Sequence, residues 1–230
     1  MRSRATLLLL AALAVTALLI FASAIRQLSF ISLGLAANRE VQSVLRGLGT
    51  TFPLPILLVQ HIARGFIPAL VEWLNNTTGL PVRIARPGER LLAGQIYLAP
   101  EDHHLVAHEP GVVGVRPMAT GDRFCPSADV LFETVANIYG GSAIGLVMTG
   151  MGDDGTRGLL ALRAAGAPTL AQDAASCVVY GMPRAAVEAG AIIRSEPLAM
   201  IPLVILGLIG SGTRDLERGQ SFHHDPRSDT

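Results

Sequence analysis

No lysine occurs among the 230 residues: all 18 basic side chains are arginine, they face 18 carboxylates, and the formal net charge is zero. A balanced chain has no global field to draw it to nucleic acid or to an anionic membrane surface. The uniform use of arginine reads as codon bias in a GC-rich genome rather than as phosphate recognition. Cysteine is nearly absent too. Cys125 and Cys177 lie far apart and form no CxxC pair, so neither a disulfide framework nor a zinc site is indicated. They fit a reducing, cytoplasmic setting for the folded part. Internal repeats are also lacking. What abounds is apolar residues, 50% of the total, ample for one buried core in a single domain of ordinary size.

Much of that apolar content opens the chain. Ala5 to Ile25 is an uncharged, Leu/Ala-rich run, long enough to cross a bilayer as one continuous helix, with Arg2 and Arg4 before it and Arg26 after it. It reads as a membrane anchor, as a cleaved signal with a small-residue site near Ala22-Ser23-Ala24, or as a stretch unrelated to the domain behind it. Arginine on both flanks leaves the orientation open. The expected organisation is an apolar leader over 1–26, a folded domain over 27–209, and a polar, aperiodic, disordered tail over 210–230.

Between leader and tail, short apolar runs alternate with amphipathic stretches, the pattern of a βαβ series and a mainly parallel sheet. Strands are predicted at Leu28–Leu33, Ile56–Gln60, Val82–Ile84, Ala143–Met148 and Thr169–Ala171. Helices are predicted at Arg39–Leu48, Pro68–Asn76, Ser127–Ile138, Thr156–Ala165, Pro183–Ala189 and Leu198–Leu208. Short strands at Gln95–Ala99, Leu105–Ala107 and Val112–Val115 suggest a small hairpin insertion. The fold class is therefore α/β, doubly wound, with helices on both faces of the sheet.

Two residues stand where such folds place their sites, at the C-terminal edge of the strands. His61 follows the Ile56–Gln60 run, and Asp154 lies in the Gly-rich turn Thr149-Gly150-Met151-Gly152-Asp153-Asp154-Gly155. A histidine that takes a nucleophile's proton, with a carboxylate that fixes its tautomer, makes two-thirds of a hydrolytic triad. The plainer alternative is a structural histidine and an ordinary Asp-Asp-Gly turn.

Five ordered motifs extend this pattern. They are Val59-Gln60-His61, the segment Gly94 to Leu105 containing Tyr97-Leu98-Ala99-Pro100 and His104-Leu105, Pro126-Ser127-Ala128-Asp129-Val130-Leu131-Phe132, Met148 to Gly155, and Ala171 to Pro183. From about Gln27 to Pro202 the chain resembles the catalytic domain of CheB-type protein-glutamate methylesterases. The resemblance implies His61 as catalytic base, Asp154 as triad acid, and the Met151 backbone N–H as an oxyanion donor.

The nucleophile turn of that family, Gly-Ala-Ser-(Thr/Ala)-Gly-Gly, is degenerate here. Without gaps it falls on Ser32-Leu33-Gly34-Leu35-Ala36-Ala37, which puts Gly34 in the serine's place. Neither Gly34, Leu35 nor Ala36 can attack an ester carbonyl. Ser32 is the nearest hydroxyl, two positions early. Thr149 and Ser176 sit on matching loops and take structural or substrate-positioning roles by resemblance. Cys177 reads as a buried small side chain. Asp102, His103, His104 and His108, like His223-His224-Asp225, read as solvated loop residues rather than metal ligands.

The implied reaction is hydrolysis of glutamyl methyl esters on the cytoplasmic helices of chemoreceptors, through an acyl-serine and without a cofactor. The family's usual receiver domain is not expected, since only about 26 largely apolar residues precede the first strand. Three readings remain open: a pseudoenzyme that binds receptor helices or a methyltransferase-type partner; an esterase using Ser32 or a water held by His61; or a decayed gene.

Overall fold

Strand β3 (Ile56–Gln60) shows why this chain builds a layer on each side of one sheet. All five residues are buried, and they alternate: Ile56 and Leu58 enter one core while Leu57 and Val59 enter the other. A strand covered on both faces needs a continuous apolar run, and this one has it. The computed structural model describes residues 15–21, 28–34 and 38–219, with side chains described over 38–210.

The first core lies under helices α1 (Asn38–Leu48), α2 (Ile67–Thr78) and α6 (Ile201–Gly219). Val41, Val44, Leu45 and Leu48 form the buried stripe of α1, spaced at helical period, and meet Leu70, Leu74, Ile201 and Ile205. The second core is roofed by α3 (Ala128–Tyr139), α4 (Thr156–Ala164) and α5 (Met182–Glu188). Leu131, Phe132, Leu159, Leu162 and Met182 pack there against Val147 and Ala171. Each fully buried Leu or Phe of this kind contributes about 1.5–3 kcal/mol over an exposed one.

The central sheet has eight strands in the order β11-β10-β9-β2-β1-β3-β6-β4, and β2 also pairs with β3. These are β1 (Val15–Phe21), β2 (Leu28–Gly34), β3, β4 (Val82–Ile84), β6 (Ile96–Leu98), β9 (Ala143–Val147), β10 (Thr169–Gln172) and β11 (Arg194–Glu196). All run parallel to their neighbours except β1, which is antiparallel to β2 and β3. A separate three-stranded antiparallel sheet, formed by β5 (Glu89–Arg90), β7 (His103–Glu109) and β8 (Val112–Pro117), is the expected insertion, and Leu105, Ala107 and Val113 anchor it in the second core. The doubly wound α/β architecture agrees with the sequence.

Two expectations at the ends are corrected. The continuous helix over Ala5–Ile25 is not formed, because Val15–Phe21 is a β-strand registered against β2 and β3. A run apolar on all sides carries no period to separate a buried strand from a helix. Among the described residues, no helix is long and apolar enough to cross a membrane. Residues 1–14 and 22–27 lie outside the described ones. At the other end α6 continues to Gly219, past the boundary at 209/210 where a tail was expected, and 220–230 lie outside the description. The short β5 and β11 were not anticipated.

Candidate active site

His61 is the first residue after β3, and Asp154 ends the turn after β9, so both reach the C-terminal edge of the sheet on the side of the second core. His61 Nε2 and Asp154 Oδ2 are 2.8 Å apart, and both residues are buried. The turn holds the acid in place. Gly155 adopts φ +92°, and a Cβ there would stand 3.0 Å from the Phe132 ring, so the residue after Asp154 must be glycine for the turn to lie on α3.

Asp154 is bound on every side. Its Oδ1 accepts from Ser127 Oγ at 2.8 Å and from the Asp129 amide at 3.1 Å, while Oδ2 accepts from the Ala128 amide at 2.7 Å as well as from His61. The two amides are the first of α3, whose N-terminal dipole favours an anion. Burial pushes the Asp154 carboxyl up, but the bond to His61, its charge and the two amides outweigh burial and hold it below the ordinary carboxylate range. An ionised carboxylate only accepts, so in the neutral imidazole His61 Nε2 carries the proton and Nδ1 the lone pair. The Phe124 ring lies 5.3 Å from the imidazole, and Arg123 stacks on Phe124 while pairing with Asp153. Beside Asp154 opens a polar cavity of about 280 Å³ bordered by His104, Arg123, Asp129 and Arg157.

The glycine-rich turn is clasped by the segment after β10. Thr149 Oγ1 bonds both the amide and the carbonyl of Val179, the Thr149 amide donates to Gln172 Oε1, and the Gly150 carbonyl accepts from the Gly181 and Met182 amides. A Cβ on Gly181 would lie 2.5 Å from the Gly150 carbonyl oxygen and 3.0 Å from Met151 Cα. The Met151 N–H has no hydrogen-bond partner among the described residues, although its side chain is exposed. Ser176 bonds Asp173 through its amide and hydroxyl, and that hydroxyl also accepts from the Leu198 amide. Thr149 and Ser176 are thus committed to structure.

The expected nucleophile position lies at the end of β2. Gly34 ends β2, whose register with β3 sets Ser32 opposite Val59 and Leu33 opposite Gln60, immediately before His61. The end of β2 and the start of the His61 loop therefore share one edge. Ser32 lies inside the strand. Residues 35–37 are outside the described ones. Neither thiol offers a substitute: burial pushes Cys177 up to about 12 and Cys125 up to about 11, so both stay protonated at neutral pH.

One histidine was misread in the sequence. Asp102 is part of an exposed turn, His103 opens β7 half-buried and His108 on the same strand is exposed, but His104 is wholly buried and bonds Asp122 Oδ2 at 2.8 Å. His104 is buried in succession with its neighbour Leu105, against the alternation of β7, and Asp122, eighteen residues on, gave no signal. Among the described residues no group of His, Cys, Asp or Glu is arranged to hold a metal ion. His223, His224 and Asp225 lie outside the description.

The chain resembles known proteins over most of its folded part. The CheB methylesterase family matches residues 31–205. A protein-glutamate methylesterase/protein-glutamine glutaminase of Myxococcus xanthus is 45% identical over 163 residues, covering 71% of this chain and 45% of the relative. One of Anaeromyxobacter dehalogenans is 46% identical over 172 residues, covering 75% and 50%. The chain spans about half the length of the curated relatives it matches. The crystal structure of the Thermotoga maritima CheB methylesterase catalytic domain superposes with a TM-score of 0.69 at 33% identity, covering 74% of this chain and 92% of that one. The chain belongs to the CheB methylesterase family.

Proposed function

We propose that this chain is a protein-glutamate methylesterase-type domain that retains the general base and its acid but lacks the nucleophile, and so turns over glutamyl methyl esters poorly. Its substrate class is the glutamyl methyl ester of a protein, with methylated chemoreceptor helices as the natural candidates and a methyltransferase-type protein as a second kind of partner. The single observation that carries the reading is the contrast at one sheet edge: a buried His61–Asp154 pair at 2.8 Å beside a strand end occupied by Gly34. In a serine at that place, His61 Nδ1 would take the hydroxyl proton while the oxygen attacks the ester carbonyl, and the Met151 N–H would face the developing oxyanion. Methanol leaves and water then releases the acyl group.

Without the hydroxyl only binding, oxyanion stabilisation and a base for water remain. Triad members act as a unit, so loss of the nucleophile alone forfeits a factor on the order of 10⁶ in rate. Gly34→Ser should restore part of it, at least about 10²-fold in the release of methanol from a methylated receptor fragment, because an acylation step again becomes available. Recovery stays partial because Leu35, Ala36 and Ala37 replace the residues that shape the family's turn. Robust hydrolysis by the unaltered chain, abolished by Ser32→Ala, would contradict the proposal and establish Ser32 as nucleophile.

A further inference from the structure

Behind the His61–Asp154 pair stands a second imidazole–carboxylate pair, and Ser127 joins the two. Asp122 Oδ2 is 2.8 Å from His104 Nε2, the Ser127 amide donates to His104 Nδ1 at 3.2 Å, and Ser127 Oγ donates to Asp154 Oδ1 at 2.8 Å. The pair of His61 completes the chain. His104 is fully buried and Ser127 nearly so, which keeps water from competing for these bonds.

The protonation pattern follows from the partners. A backbone amide can only donate, so His104 Nδ1 must hold a lone pair, and the neutral ring must carry its proton on Nε2 toward Asp122. Asp122 is itself anchored: the Ala119 amide bonds the same oxygen at 2.7 Å and Arg116 lies 3.8 Å from the other. The Ala119 amide, then His104, hold its carboxyl below the ordinary range, so it is an acceptor throughout the neutral region. Ser127 is the N-cap of α3, and it supplies one donor to Asp154 while fixing where the Ala128 and Asp129 amides begin. A free serine cap could rotate its hydroxyl away from Asp154, whereas one whose amide is tied to His104 keeps its backbone in place.

We propose that His104, oriented by Asp122, is a positioning residue for the active-site carboxylate: it fixes Ser127, and Ser127 with the first amides of α3 fixes the face that Asp154 presents to His61. The proposal rests on the His61–Asp154 reading above, but its test needs no turnover. The six imidazoles of the full ¹⁵N-labelled chain can be followed by long-range ¹H–¹⁵N spectra at a pH where the rings are neutral. In the unaltered protein, His61 and His104 should each show a protonated Nε2 and an unprotonated Nδ1. His104→Phe keeps a buried ring and removes the acceptor for Ser127; the expected result is loss of the distinct Nε2–H resonance of His61, with its ring shifting toward a mixture of neutral forms. His104→Asn can still accept from the Ser127 amide through Oδ1 and should retain that resonance.

Should His104→Phe fail to fold, Ser127→Ala leaves both rings and cuts the link between them, and the same loss at His61 is expected. A merely structural role would lower the melting temperature and leave the His61 spectrum of the folded variant intact. An unchanged His61 resonance in folded His104→Phe or in folded Ser127→Ala overturns this inference alone. Absence of the Nε2–H form from the unaltered protein would bring down the dyad reading and this inference with it.

Discussion

The two sides of the sheet's C-terminal edge differ in how completely their polar groups are paired. On the α3 side Asp154 accepts four hydrogen bonds, and His104, Ser127 and Asp122 are each bonded. On the α1 side, next to the end of β2, several buried polar atoms have no partner among the described residues: Asn38 Oδ1, Glu40 Oε2 and both amide atoms of Gln60. Thr156 Oγ1 is the one such atom near the acid. An unmade bond of this kind costs about 1–3 kcal/mol, so the difference is energetic as well as geometric. The α3 side thus pairs its polar groups almost completely, whereas the α1 side, next to the end of β2 where Gly34 stands, leaves several of its buried polar atoms unpaired among the described residues.

Breaking the paired side should have the largest effect on stability. Asp154→Ala strands His61, Ser127 Oγ and two helix-terminal amides in a buried site, and should lower the unfolding free energy by about 3–5 kcal/mol, read from urea melts. Acidification sharpens the same point. Because the folded pKa of Asp154 is depressed, the stability it contributes is present above the ordinary aspartate range and is lost as pH falls through its folded value.

Glu40 on the other side should behave oppositely. Burial pushes its carboxyl up, offset only in part by Gln172 and the Val178 backbone. A raised folded pKa means that the native state takes up the proton first, so this group's contribution to stability falls as pH rises above the ordinary glutamate range. Glu40→Met should therefore stabilise the protein at neutral pH by about 1 kcal/mol and flatten that part of the pH profile. Destabilisation by this change would show that the carboxylate is better paired than the α1 side indicates. The smallest change is expected at the rim, where Arg123→Ala breaks an exposed pair with Asp153 and should alter stability by less than about 1 kcal/mol in salt-containing buffer.

Much of the paired side could be read in the sequence because its parts are local. A fully apolar run into a Gly-rich turn places Asp154, and the end of β3 places His61, with no long-range information needed. The supporting residues were hidden for the converse reason. No local pattern separates His104 from His103, since β7 buries His104 and Leu105 in succession, and the partner Asp122 lies beyond β8. At the N-terminus, Val15–Phe21 is uncharged, with Thr16 its one polar residue, so hydropathy could not tell a sheet strand from a spanning helix. The C-terminal boundary failed where composition outweighed period: Gly210 and Gly212 break the apolar pattern, yet the backbone stays helical to Gly219.

The absence of a nucleophile is tested most directly by a covalent trap. The unaltered chain and Gly34→Ser are incubated with a serine-directed phosphonate ester, and the modified peptide is located by mass spectrometry. Labelling of Gly34→Ser at residue 34, with none in the unaltered chain, is the predicted result. Labelling of the unaltered chain at Ser32, or failure of a folded Gly34→Ser to be labelled at all, would contradict it.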